Sequence, residues 1–232
     1  MMSKDRDAGV RAQGSPIGPV QVKVCGLTRV DEAVGCAQAG ARAIGCVFYP
    51  RSPRCVGAAM AADIRRALPP EVACVGVFVD ETFEAVMRIV GRTGFTAIQL
   101  HGNETPEFVT RLRREGLFVI KALFADRSPG FERAGEYSGA VFLAECGRGA
   151  LPGGNAQAWE WSKAGPIGER HPLIIAGGLN PTNAAQAVRA ACPDAVDVSS
   201  GVETSPGCKN IRKVEKFIAA VATASARRMI LW

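Results

Sequence analysis

The chain has two histidines, His101 and His171, and its eight cysteines include no C-x-x-C pair. Structural zinc sites draw on closely spaced thiolates and imidazoles, so no metal is expected. Aromatic residues make up 6% of the sequence. No basic run carries aromatics between its charges, which argues against a nucleic-acid partner. No apolar stretch approaches the roughly 20 residues a membrane helix needs, so no membrane partner is expected either. The opening MMSKDRDAGVRAQGSPIGPV has no apolar h-region and reads as a disordered tail over residues 1–20. With no secretory signal, the cysteines are expected to be reduced thiols in the cytoplasm.

What is present fits an ordinary globular protein: 47% hydrophobic and 22% charged residues in 232. The formal net charge of +6 fits an anionic ligand and equally a solvated basic surface. From Gln21 onward, short apolar runs alternate with longer mixed segments. Expected strands are Val22–Gly26, Ala43–Tyr49, Val72–Val79, Ala97–Leu100, Leu117–Leu123, Ala140–Ala144, Leu173–Gly177 and Ala195–Ser199. Their near-continuous apolarity indicates parallel strands covered on both faces. Helical spacing marks Val30–Gln38, Ala58–Leu68, Phe83–Val90, Pro106–Arg114, Pro181–Ala191 and Val214–Ala222. Asn180 before Pro181, and Thr105 before Pro106, read as helix N-caps.

Eight such units leave a closed barrel or an open doubly wound sheet. The first strand–helix turn, VCGLTR, lacks the G-x-G-x-x-G dinucleotide fingerprint. The expected fold is therefore a single (β/α)8 TIM barrel over residues 21–232.

Barrel enzymes gather their reactive groups at the C-terminal ends of the strands. Those ends carry Cys25, Tyr49 with Arg51 and Arg54, Asp80, Gln99 with His101, Lys121, Glu145, Gly177-Gly178, and Asp197 with Ser199-Ser200. Residues two apart on a strand share a face, so Lys23 joins Cys25, Gln99 joins His101, and Asp197 joins Ser199. The last two strand ends, in IIAGGLNPTN and VDVSSGVE, bring glycines and hydroxyls together before a helix start. Such turns let backbone amides approach a phosphate. Gly177, Gly178, Ser199, Ser200 and Gly201 form the expected phosphate cradle.

The motifs KVCGLTR, FYPRSPR, VGVFVD, IQLHG, VIKA, PGGN followed by W-x-W, AGGLNP and VDVSSGVE-x-x-PG-x-K occur in this order. From about Val22 to about Phe217 the chain resembles the phosphoribosylanthranilate isomerases of tryptophan biosynthesis. The resemblance implies a cofactor-independent Amadori rearrangement of a small phosphorylated substrate. It places the catalytic base at Cys25, a substrate-binding arginine at Arg54, and ligand-side positions at His101 and Asp197. A free thiol is a poor base at neutral pH unless something favours the thiolate, a part open to Lys23 or Lys121.

The acid departs from the family pattern, an aspartate in an L-L-D context. Here the run is VFLAEC, and Glu145 is the nearest carboxylate. An ungapped count back from PGGN lands on Cys146, and another alignment lands on Ala144. The loop PGGNAQA also departs from the common Gly-Gly-Ser/Thr-Gly-Lys pattern. Trp159 and Trp161 read as core packing. Two alternatives remain: another phosphate-binding barrel such as indoleglycerol-phosphate synthase, or a binding or regulatory barrel that lost its acid.

Overall fold

Strands that are apolar on both faces must be covered on both faces, and here eight of them close into a cylinder ringed by helices. The computed structural model describes residues 16–148, 158–224 and 228–232. The strands are β1 (Gln21–Cys25), β2 (Ala43–Val47), β3 (Ala73–Phe78), β4 (Ala97–Leu100), β5 (Phe118–Phe124), β6 (Val141–Glu145), β7 (Leu173–Ile175) and β8 (Ala195–Val198). They run parallel in sequence order and close into one barrel. The seam pairs β1 with β8, Lys23 lying beside Asp197. This is the expected (β/α)8 architecture.

Helices α1 (Val30–Gln38), α2 (Ala58–Ala67), α3 (Phe83–Thr93) and α4 (Pro106–Arg114) follow the first four strands. Thr105 caps α4 by accepting from the Phe108 amide at 3.3 Å. After β5 the chain makes only a 3-10 helix, Phe131–Glu136. After β6 a 3-10 turn, Trp161–Ala164, runs into the single turn α5 (Gly165–Gly168). Helices α6 (Ala184–Ala191) and α7 (Ile211–Ala224) complete the ring.

One helix start is corrected. Asn180 does not cap α6 from Pro181; its side-chain oxygen accepts from the Thr182 amide at 2.8 Å and the Thr182 hydroxyl at 2.6 Å. That closed turn competes with helix geometry and delays α6 to Ala184. At the other end of the ring, α7 starts earlier than its apolar period, because Asn210 accepts from the Lys213 amide at 3.1 Å.

Two apolar layers hold the barrel. Val22, Val24, Ile44, Cys46, Ile98 and Leu123 point outward into the layer shared with the helices. Ala43, Val75, Ala97, Ile120, Leu143, Ile174 and Ala195 fill the lumen. Each fully buried aliphatic side chain contributes about 1.5–3 kcal/mol relative to exposure. All eight cysteines are free thiols, and Cys36 and Cys74, buried in apolar surroundings, are pushed up to about 12. At the barrel floor, Gln21 donates to the Trp232 carbonyl at 2.7 Å and accepts from the Leu231 amide at 2.6 Å. Residues 1–15 of the expected tail lie outside the described residues. Ile17–Gly18 forms a short antiparallel ribbon with Arg228–Met229.

Candidate active site

The lumen face of each strand ends at the catalytic mouth, and parity decides which side chains arrive there. On β1 these are Lys23 and Cys25. Lys23 has no exposed surface, and its ammonium donates to Asp197 on β8 at 2.8 Å. A wholly buried lysine is tolerated only when paired in this way. Burial works against the Lys23 charge, but Asp197 and Cys25 facing it hold it above the usual lysine range. On β2, Gly45 makes room for both groups. A methyl there would sit 2.8 Å from Cys25 Sγ and 3.2 Å from Lys23 Nζ.

Burial pushes the Cys25 thiol above its ordinary value of 9.0. Lys23 and Lys209 pull it down, while Asp197 pushes it up. Lys23 thus supplies the expected bias toward the thiolate, but desolvation outweighs it.

Lys121 takes no part. It lies between Ile120 and Ala122, which face the lumen, and so points the other way. Its ammonium donates to the Gly102 carbonyl and to Glu104, both at 2.7 Å, tying down the loop after β4.

On β6, Glu145 shares the lumen face with Val141 and Leu143, whereas Ala144 packs into the outer layer. Glu145 is buried at the strand end, with its Oε2 2.9 Å from His101 Nε2. Gln99 Nε2 lies 2.8 Å from His101 Nδ1. Both ring nitrogens of His101 are thus engaged within the protein.

The arginine after β2 is held by a residue sequence reasoning missed. Arg54 donates through Nε and Nη2 to the two oxygens of Glu203 at 2.8 and 2.7 Å. Lys209 donates to the same carboxylate at 2.6 Å and lies 3.3 Å from the Ser199 carbonyl. Glu203 and Lys209 face each other across a short hairpin, Glu203–Ser205 with Cys208–Lys209. The signal was in the sequence: opposite charges flank a Pro-Gly turn in VE-x-x-PG-x-K.

The residues expected to form the phosphate cradle lie at the ends of β7 and β8. Gly177 and Gly178 follow β7 with positive φ of 85° and 68°. Ser200–Val202 makes a 3-10 turn after β8, and Gly201 packs against the Leu179 carbonyl. Gly177 abuts Glu145, since a methyl there would lie 2.9 Å from Glu145 Cγ. Trp159 and Trp161 sit behind this turn, donating to the Ala176 and Gly177 carbonyls at 2.9 and 3.3 Å. The PGGN loop lies outside the described residues. Among the described residues, no cluster could hold a metal ion, and no helix is long and apolar enough to cross a membrane.

Residues 22–220 match the sequence model of the N-(5'-phosphoribosyl)anthranilate (PRA) isomerase family. The chain belongs to that family. The N-(5'-phosphoribosyl)anthranilate isomerase of Desulfatibacillum aliphaticivorans is 53% identical, over 86% of this chain and 91% of its own length. That of Myxococcus xanthus is 42% identical, over 92% and 99%. The crystal structure of the Thermotoga maritima phosphoribosyl anthranilate isomerase superposes with a TM-score of 0.81 at 37% identity, covering 87% of this chain and 98% of that one. A second solved member of the family, in complex with reduced 1-(o-carboxyphenylamino)-1-deoxyribulose 5-phosphate, gives 0.78 at 36%, with the same coverage. The chain is an isomerase of tryptophan biosynthesis acting on N-(5'-phosphoribosyl)anthranilate. These findings favour neither the synthase nor the non-catalytic alternative.

Proposed function

We propose that this isomerase works without a cofactor, with Glu145 as general acid and Cys25 as general base. The observation that carries the reading is the order of strands around the ring. Glu145 tops β6 and Cys25 tops β1, and the two strands between them, β7 and β8, bear the glycine turns. A sugar phosphate anchored on Gly177, Gly178, Ser199, Ser200 and Gly201 would have the carboxyl on one side and the thiol on the other.

Glu145 gives its proton to the furanose ring oxygen, and the bond from that oxygen to C1′ breaks, leaving an iminium between C1′ and the anthranilate nitrogen. The Cys25 thiolate takes the proton from C2′. The freed electron pair forms the C1′–C2′ double bond of an enolamine and neutralises the iminium nitrogen. Tautomerisation then gives the C2′ ketone of 1-(2-carboxyphenylamino)-1-deoxyribulose 5-phosphate. Acid and base act in opposite protonation states, as such a pair must. Arg54, with Nε and Nη2 held by Glu203, offers Nη1 to the anthranilate carboxylate. Asp197, with one oxygen on Lys23, offers the other to a substrate hydroxyl. His101 acts on the substrate through Glu145. Eight free thiols, among them Cys25, suit a reducing compartment, and the cytoplasm is the proposed location.

The anthranilate group of the substrate fluoresces, so its decay follows turnover directly. Glu145→Gln is expected to lose on the order of 10²-fold or more in kcat, and Glu145→Asp to keep part of the activity. An unimpaired Gln variant excludes the acid role.

A further inference from the structure

The acid does not stand alone in the lumen. Gln99, His101 and Glu145 form a buried line across β4 and β6, with separations of 2.8 and 2.9 Å. We infer that Gln99 and His101 are positioning residues that fix which oxygen of Glu145 handles the transferred proton. The inference rests on the acid role proposed for Glu145.

An amide nitrogen only donates, so with Gln99 Nε2 facing it, His101 Nδ1 must accept. The ring hydrogen is then on Nε2, where it donates to Glu145 Oε2. That leaves Oε1 to carry the proton toward the cavity. Once the proton has gone, the His101 N–H stabilises the new carboxylate through a charge-assisted hydrogen bond.

The opposite arrangement shows why the amide matters. With Gln99 turned over, Nδ1 would carry the hydrogen and the Nε2 lone pair would face Oε2. The carboxyl proton would then have to sit on Oε2, pointed at histidine and away from the sugar. The observed orientation leaves Gln99 Oε1 buried with no partner among the described residues. An orphaned carbonyl is costly, so this placement runs against local satisfaction and favours the line to Glu145. Phe124 packs edge-on to the imidazole at 5.5 Å, and Gly177 lies against Glu145 Cγ from β7.

Other charges face the same groups. Arg127, in the loop after β5, and Asp197 on β8 are the charged neighbours, with Lys23 on β1 paired to Asp197. These stay in place in the variants below, so differences between variants isolate the line itself.

The test reads the imidazole directly. The chain has two histidines, and His171 packs against Phe142 at 5.1 Å, so ring nitrogen-15 spectra resolve into two sets. In the full-length enzyme the His101 ring hydrogen is expected on Nε2. Gln99→Met keeps the volume and removes the donor. It is expected to populate the Nδ1–H tautomer and to lower kcat about tenfold with KM changed less than about twofold, as for a group acting mainly in the transition state. Gln99→Glu, a second variant of similar size, replaces the donor with an acceptor and is expected to place a hydrogen on Nδ1. An Nδ1–H tautomer in the wild type overturns the inference. So does a Gln99→Met variant with tautomer and kcat unchanged. Full activity in Glu145→Gln removes the acid role instead, and the tautomer measurement does not depend on it.

Discussion

Arg54 and Glu203, separated by 149 positions in the chain, meet through two parallel hydrogen bonds of 2.8 and 2.7 Å in a buried setting. The pair ties the loop after β2 to the loop after β8, over the top of the strand that carries Cys25. Lys209 adds a second cation to the same carboxylate. The fork geometry fixes the plane of the guanidinium, which a lysine at position 54 would not reproduce.

Removing the carboxylate charge leaves two buried cations without their partner. Glu203→Gln is expected to lower the unfolding free energy by about 3 kcal/mol, read from urea titration at neutral pH. It should also raise KM, because Arg54 is no longer held in plane. A variant with wild-type stability and KM would show that the pair is dispensable.

The same carboxylate makes stability depend on acid. Burial raises its pKa, but Arg54 and Lys209 outweigh burial and hold Glu203 below its ordinary value of 4.5. The unfolded chain therefore takes up this proton first as pH falls. The stabilisation is complete above about 4.5 and is lost as pH drops through the folded pKa. Urea midpoints measured from pH 7 to pH 3 should fall more steeply for the wild type than for Glu203→Gln. Parallel curves would contradict this.

Turnover should depend on pH through Cys25. The base must be deprotonated, and burial holds this thiol above 9.0, so kcat/KM of the free enzyme is expected to rise with pH through the neutral range. Asp197→Asn releases Lys23 from its partner and removes a neighbouring anion, so this limb should move to lower pH. Lys23→Met should move it higher. A limb indifferent to both substitutions would place the base elsewhere.

Lys121 offers the contrasting case. Its ammonium holds Glu104 and the Gly102 carbonyl rather than the lumen. Lys121→Met is expected to lower the thermal midpoint while leaving the Cys25-dependent limb where it is. A shifted limb would show coupling that this geometry does not supply.

Lys121 also shows where sequence reasoning stops. All eight strands fall within two residues of their expected ends, because length, β-branching and Gly or Pro punctuation are local properties. Which face of a strand looks into the lumen is not local. In a strand covered on both sides, apolar residues alternate with apolar residues, and nothing in the run marks the inner face. Lys23 and Lys121 look alike in sequence and point to opposite sides of the wall. Gln99 and His101 were read together correctly because two-residue spacing on one strand needs no knowledge of the rest of the barrel. The Arg54–Glu203 contact needed the closed ring, which brings the second and eighth loops together. The start of α6 was missed because Asn180 has two competing uses, and only the backbone shows which one prevails.

Trp159 and Trp161, two of the three indoles in the chain, hang from the carbonyls of Ala176 and Gly177 beside the glycine turn. They make that turn optically visible. An anion arriving there would change the electric field at both rings, so emission wavelength and quenching become an intrinsic gauge of occupancy, without a label and separate from any turnover signal.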